Sequence, residues 1–120
     1  MSALRRAVLA AAAEPRPLPE GGWTRRFCFA EASEVFAGHF PGRPVLPAVV
    51  QILLAQATLE QCVPAFRLRR VPQAKFLAPL GPGAELELRL TPGRAVGAWE
   101  CVLRAVGGVA ARFRLEGEQA

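Results

Sequence analysis

His39 is the only histidine in the chain. An imidazole is the one side chain whose ordinary pKa lets it both take and give a proton near neutral pH. It stands in the stretch FAGHFPGRPVLPAVVQILLAQ, residues 36 to 56, where Pro41, Gly42, Pro44 and Pro47 follow it closely. Proline fixes backbone φ, so this loop is stiff. A histidine held there, directly before an apolar run, reads as a proton-transfer group in a pocket or as a loop histidine with a local hydrogen bond. Other groups of chemical capacity are sparse. Cys28, Cys62 and Cys101 are odd in number and far apart. Without CxxC spacing they predict no zinc site, and they read as small buried apolar residues of a reducing, cytoplasmic compartment.

The elements that must position His39 follow from pattern. Residues 3 to 14 are rich in Ala, Leu and Arg and favour a loosely packed N-terminal helix rather than a secretory leader. The segment EPRPLPEGG, 14 to 22, breaks regular structure. WTRRFCFA, 23 to 30, reads as a strand, and EASEVFA, 31 to 37, as one short helical turn. From Pro47 to about Val63 the only polar residues are Gln51, Gln56, Thr58, Glu60 and Gln61. That length exceeds a strand, a proline suits the first turn of a helix, and a nearly all-round apolar helix belongs inside the protein. After Pro64 come four candidate strands at 67–80, 84–90, 98–106 and 109–116. GPG at 81–83, TPG at 91–93 and GG at 107–108 separate them, which predicts a hairpin meander. One strand, one long buried helix and then an antiparallel sheet make an α+β domain. The expected division is a lead-in over 1–22 and the domain proper over 23–120.

Composition limits the function classes. At 120 residues, 52% of them apolar, the chain is one domain with enough core to need no metal or disulfide. The net charge is +5, yet Lys75 is the only lysine among 15 basic residues, and no aromatic-and-basic interleaving or recognition motif appears. The Arg-, Ala-, Gly- and Pro-rich pattern fits GC-rich codon usage as well as a nucleic-acid surface, and a basic surface would equally suit an acidic protein partner. No apolar run approaches the ~20 residues of a membrane span.

The residues GHFPGRPVLPAVVQ, 38 to 51, resemble the hot-dog-fold β-hydroxyacyl-acyl-carrier-protein dehydratases of fatty acid synthesis, whose signature is an HFPGxPxxPG loop leading into a central helix. The VVQ ending is most similar to the dehydratase-like proteins of aryl polyene biosynthesis. VPQAKFLAPLGPGAEL, 71 to 86, resembles the family's strand that ends in PxxPGD. Three prolines and a histidine at fixed spacing form a specific motif, and the resemblance runs over roughly residues 23 to 116.

The resemblance implies a sheet wrapped around the central helix, a dimer with the site at its interface, and an acyl thioester on acyl carrier protein or coenzyme A as substrate. No cofactor or metal is implied. His39 would remove the C2 proton and protonate the departing C3 hydroxyl, and the Ala48 N–H would hold the enolate oxygen at the helix N-terminus. Phe40, Pro47, Gln51, Leu53 and Gln56 would line the substrate path. Arg67, Arg69, Arg70 and Lys75 either form a solvated strand face or dock the acidic carrier, with Arg67 and Arg69 on one face by the period of two. Trp23 and Trp99 read as core or interface anchors.

Two departures separate this chain from the family's pattern. Ala48 stands where the family has glycine. Leu53 stands five residues further on, where the family has a carboxylate that completes proton transfer. Gln56 shares a helix face with Leu53, but an amide is no useful proton donor. The leading expectation is 3-hydroxyacyl dehydration in fatty acid or polyene-type lipid synthesis. Its rivals are a catalytically impaired subunit of a heterodimeric dehydratase and a hot-dog acyl thioesterase.

Overall fold

A computed structural model describes residues 2–37 and 42–120. Helix α1 spans Ala3–Ala10, where Ser2 accepts from the Arg5 N–H at 3.1 Å as its N-cap. The chain then turns extended. The Ala13 N–H donates to the Arg26 carbonyl at 2.8 Å and the Cys28 N–H to the Ala11 carbonyl at 3.1 Å. These bonds end the helix earlier than its composition predicts. The expectation of loose packing is also corrected, because Val8 is fully buried in the common core.

Strands β1 (Arg16–Pro17) and β2 (Trp23–Phe27) follow, and the expected short turn is a 3-10 turn at Glu34–Phe36. Helix α2 spans Ala48–Cys62, as its apolar length predicts. Four strands complete the chain: β3 (Arg67–Phe76), β4 (Leu86–Pro92), β5 (Ala98–Ala105) and β6 (Gly108–Glu118). They form one antiparallel sheet in the order β1-β2-β4-β5-β6-β3.

The order corrects the meander. Strands β4, β5 and β6 are consecutive hairpins, but β3 lies beyond β6 at the far edge, not beside β4. The neighbouring edge of β4 is already taken by β2, paired from Trp23↔Leu90 to Phe27↔Leu86. The segment 77–85 therefore crosses the open end of the fold instead of making a hairpin. Its Leu80 carbonyl accepts from the Leu46 N–H at 2.7 Å, which joins it to the lead-in of α2.

Alternation sorts the sheet into two faces. Leu86, Leu88, Leu90, Trp99, Cys101, Leu103, Ala111, Phe113 and Leu115 point inward and are buried with Val50, Leu54, Ala55, Ala57 and Leu59 of α2. Burying each large aliphatic side chain contributes about 1.5–3 kcal/mol. Trp23 lies 5.7 Å from Trp99, centroid to centroid, at one end of this core. The cysteines divide: Cys101 is buried, Cys62 half-buried and Cys28 exposed. The last corrects the expectation of three buried thiols, because Cys28 lies just past β2 on its outward alternation.

Among the described residues, one charged side chain is also buried. Arg25 pairs with Leu88 across the sheet and is only 6% exposed. Its Nε donates to the Ala13 carbonyl at 2.7 Å, and its Nη1 to Thr58 Oγ1 at 3.1 Å and Gln61 Oε1 at 2.8 Å. The guanidinium also lies 5.6 Å from the Phe27 ring centroid. A buried cation persists only when so satisfied. Desolvation lowers its pKa, against opposing contributions from Cys62 and Glu14.

Candidate functional site: a cleft at the start of the central helix

The sequence motif leads into α2 through Pro44, Val45, Leu46 and Pro47. Pro47 is the N-cap in an extended conformation, with φ −65° and ψ 152°. It has no side-chain oxygen to offer the first amides. Its carbonyl accepts from the Val50 and Gln51 N–H groups at 3.0 and 3.1 Å. Among the described residues, the Ala48 and Val49 N–H groups find no acceptor. The positive end of the helix dipole thus stands open at Ala48.

This end opens into a cleft of about 510 Å³ between the α2 lead-in and the segment leaving β3. Leu46, Pro47, Ala48 and Gln51 form one side, and Phe76, Leu77 and Pro79 the other. The lining is mostly apolar for a simple reason. Phe76 falls on the inward alternation of β3, opposite Ala111, and its ring stacks on Phe113 at 6.4 Å. The Leu77 and Ala78 N–H groups both donate to the Ala110 carbonyl, at 2.8 and 3.2 Å, which fixes the far wall. Phe76 and Leu77 remain 41% and 58% exposed, so the wall is open to a ligand or a partner.

Gln51 is the polar side chain of this cleft. It is 3% exposed, and its Nε2 donates to the Leu46 carbonyl at 3.1 Å. Its Oε1 is buried and has no hydrogen-bond partner among the described residues. An acceptor left this way typically costs on the order of 1–3 kcal/mol.

The expected site residues separate. Pro47, Ala48 and Gln51 meet at the cleft. His39 and Phe40 lie outside the described residues. Leu53 is half-buried against the hydrophobic core. Gln56 donates through Nε2 to Glu60 Oε2 at 3.1 Å, and Glu60 holds the Arg5 guanidinium. Gln56 thus belongs to the seam between α1 and α2, not to the cleft.

The basic set is divided too. Arg67 and Lys75 are exposed. Arg69 pairs with Glu118 at 2.8 Å and Arg70 with Glu116 at 2.7 Å. A register shift between Leu68 and Arg70 interrupts the strict period of two that places Arg67 and Arg69 together. Lys75 sits opposite Arg112 on the outer face, leaving two like charges side by side.

Pattern reading did not single out Phe76, Leu77 and Pro79, which line the cleft. They lie in the stretch 71 to 86 that resembles the family's strand, but an apolar pair ending a strand reads equally as core. It also missed the anchoring by Arg25, since WTRRFCFA reads only as a strand and nothing in it marks one arginine of the doublet as buried. Among the described residues, no helix is long and apolar enough to cross a membrane.

With this architecture the molecule is an antiparallel sheet packed on one buried helix, the α+β hot-dog arrangement. The dehydratase heterocomplex ApeI:P from Xenorhabdus doucetiae superimposes with a TM-score of 0.80 at 20% identity, covering 88% of this chain and 95% of that one. That likeness concerns the fold. The ApeI-like family model, described as ApeI dehydratase, matches residues 18–105, and the chain belongs to this family of dehydratases. It is also similar to the 3-hydroxyacyl-(acyl-carrier-protein) dehydratase FabZ of Haemophilus influenzae (strain PittEE). Identity there is 30%, over 80% of this chain and 74% of the relative. The FabZ of Novosphingobium aromaticivorans is 39% identical over 48% of this chain and 42% of its own length. The chain thus spans under half of that relative and about three quarters of the Haemophilus one.

Proposed function

We propose that this protein acts on 3-hydroxyacyl thioesters, carried by acyl carrier protein or coenzyme A, and removes water from C2 and C3. The observation that carries the reading is the start of α2, uncapped among the described residues, with Ala48 lining an apolar cleft. In the proposed reaction, His39 takes the C2 proton and the carbonyl becomes an enolate whose oxygen the Ala48 N–H holds. The electron pair returns to form the C2–C3 double bond. The C3–O bond breaks, and the imidazolium gives its proton to the departing hydroxyl, which leaves as water. Pro47 and Gln51 border the thioester, and Phe40, Leu53 and Gln56 are assigned no proton to move. Lys75, outside the ion pairs that engage Arg69 and Arg70 and facing Arg112 rather than a carboxylate, is the better candidate for meeting an acidic carrier, while Arg67 faces Glu118.

Two hot-dog subunits, alike or related, are proposed to assemble through β3. This ten-residue edge strand pairs on one side only, with β6, and nearly all of its side chains are exposed. A long open edge of this kind is a template for another strand.

The second reading is a subunit that needs an active partner. It is favoured by Leu53, an apolar residue packed on the core where the resemblance expects a carboxylate. One experiment separates the readings. The purified chain and its His39→Ala variant are incubated with a 3-hydroxyacyl-carrier-protein, and the enoyl product is followed by mass spectrometry. Turnover lost in His39→Ala supports the dehydratase. Binding without turnover supports the partner subunit. Release of free thiol instead identifies a thioesterase and overturns both.

A further inference from the structure

We infer that the buried amide of Gln51 is a specificity-determining acceptor, which takes a hydrogen bond from the C3 hydroxyl of the acyl group. The inference rests on the acyl-thioester reading above and names the contact that tells a 3-hydroxyacyl group from an acyl group without the hydroxyl.

The orientation of the amide is decided by its neighbour. The Leu46 carbonyl can only accept, so the Gln51 nitrogen must face it, as the 3.1 Å contact requires. Leu46 cannot move aside freely, because its own N–H is bonded to the Leu80 carbonyl at 2.7 Å and its side chain is buried. Oε1 is therefore directed away from Leu46, and among the described residues no donor meets it. A buried acceptor beside an apolar cleft needs a donor, and a bound ligand can bring one.

The neighbouring groups narrow that ligand. Gln51 lies three residues after Ala48, so the two share a helix face. The start of α2 thus brings an N–H donor at Ala48 to the cleft and, one turn along, the buried and unpartnered Oε1 of Gln51. A complementary ligand carries an oxygen acceptor with a hydroxyl donor close by, and an apolar remainder for Leu46, Phe76 and Leu77. A 3-hydroxyacyl thioester has this pattern: a carbonyl at C1, a hydroxyl at C3 and an alkyl chain beyond. The enoyl product has lost the hydroxyl, so the same contact favours substrate over product. Gln56 and Gln61, the other amides of the helix, do not serve, because Glu60 engages the first and Arg25 the second. Gln51 does not titrate. Its role is to position the hydroxyl, while proton transfer stays with His39.

The test uses two pantetheine analogues in which NH replaces the thioester sulfur, one 3-hydroxyoctanoyl and one octanoyl, titrated calorimetrically into the full chain. Wild type should bind the hydroxylated analogue roughly tenfold more tightly, the value of one well-made hydrogen bond. Gln51→Met, similar in length and without an acceptor, should lose that preference, read as the ratio of the two affinities within the variant. Equal binding of both analogues by wild type, or a preference that survives in Gln51→Met, overturns the inference and leaves the acyl-thioester reading standing. Failure of both analogues to bind overturns that reading and the inference with it. Should Gln51→Met not fold, the wild-type Gln51 side-chain amide resonances give the second measurement. They should shift with the hydroxylated analogue and not with octanoyl, and identical responses overturn the inference.

Discussion

Arg25 Nη1 and Thr58 Oγ1 meet at 3.1 Å inside the protein, joining β2 to the second half of α2. The same guanidinium holds the Ala13 carbonyl and Gln61, so one side chain ties the lead-in, the sheet and the helix together. Arg25→Ala would leave buried acceptors without donors. It should destabilise the fold by about 3 kcal/mol, within the range for breaking a buried charged network. A thermal melt should show a midpoint lower by about 10 °C. A change under 2 °C or so would mean that water replaces the guanidinium without penalty.

Gly97 sets the entry to β5. Its φ is +85°, and a Cβ there would stand 2.0 Å from the Gly117 carbonyl oxygen. Gly97→Ala therefore meets both an unfavourable backbone region and a backbone atom that cannot yield. The expected loss is about 1–3 kcal/mol in urea unfolding. Gly107→Ala is the control, since a Cβ there meets nothing within 4 Å. It should stay within about 0.5 kcal/mol of wild type.

Glu100 and Arg114 form a two-pronged pair on the outer face, Nε to Oε2 and Nη2 to Oε1, each at 2.8 Å. The hydrogen bond from Arg114 lowers the Glu100 pKa, opposed by burial and aided by the guanidinium's charge. A carboxyl whose folded pKa lies below its unfolded value stabilises the fold above the unfolded pKa, near ~4.3. That stability is lost as pH falls through the lower, folded value. Both side chains are more than 40% exposed, so the contribution stays below about 1 kcal/mol. Glu100→Gln should cost a little stability at neutral pH and nothing at about pH 2. Melting temperatures of the two proteins should converge as acid is added, and parallel curves would assign Glu100 no part in the acid limb.

Leu77, just past β3, leaves an apolar surface 58% exposed beside the open strand edge. If β3 is the seam between subunits, sedimentation should give a species of twice the 12.9 kDa chain mass. Leu77→Glu, which places a charge at that seam, should weaken association by about tenfold or more, since burying an unpaired charge exceeds ~1.4 kcal/mol. A wild-type chain that sediments as a monomer when alone would instead require a different subunit as its partner.

The sequence determined the parts whose cause is local. The central helix was legible because fifteen residues in succession leave no polar face and a proline opens it. Strand β4 was legible because Leu86, Leu88 and Leu90 alternate with charge. The HFPGxPxxP motif pointed to the start of α2, where Pro47, Ala48 and Gln51 line a cleft. Which edge β3 joins emerges from the assembled sheet, because hydrogen bonds between strands are long-range and carry no residue code. Only the tertiary structure separated two glutamines that look equivalent on paper. Gln56 is taken by Glu60 and the α1 seam, while Gln51 is fixed by Leu46 with its oxygen unpartnered among the described residues. Burial and partnership belong to the assembled neighbourhood, and no pattern along a single segment contains them.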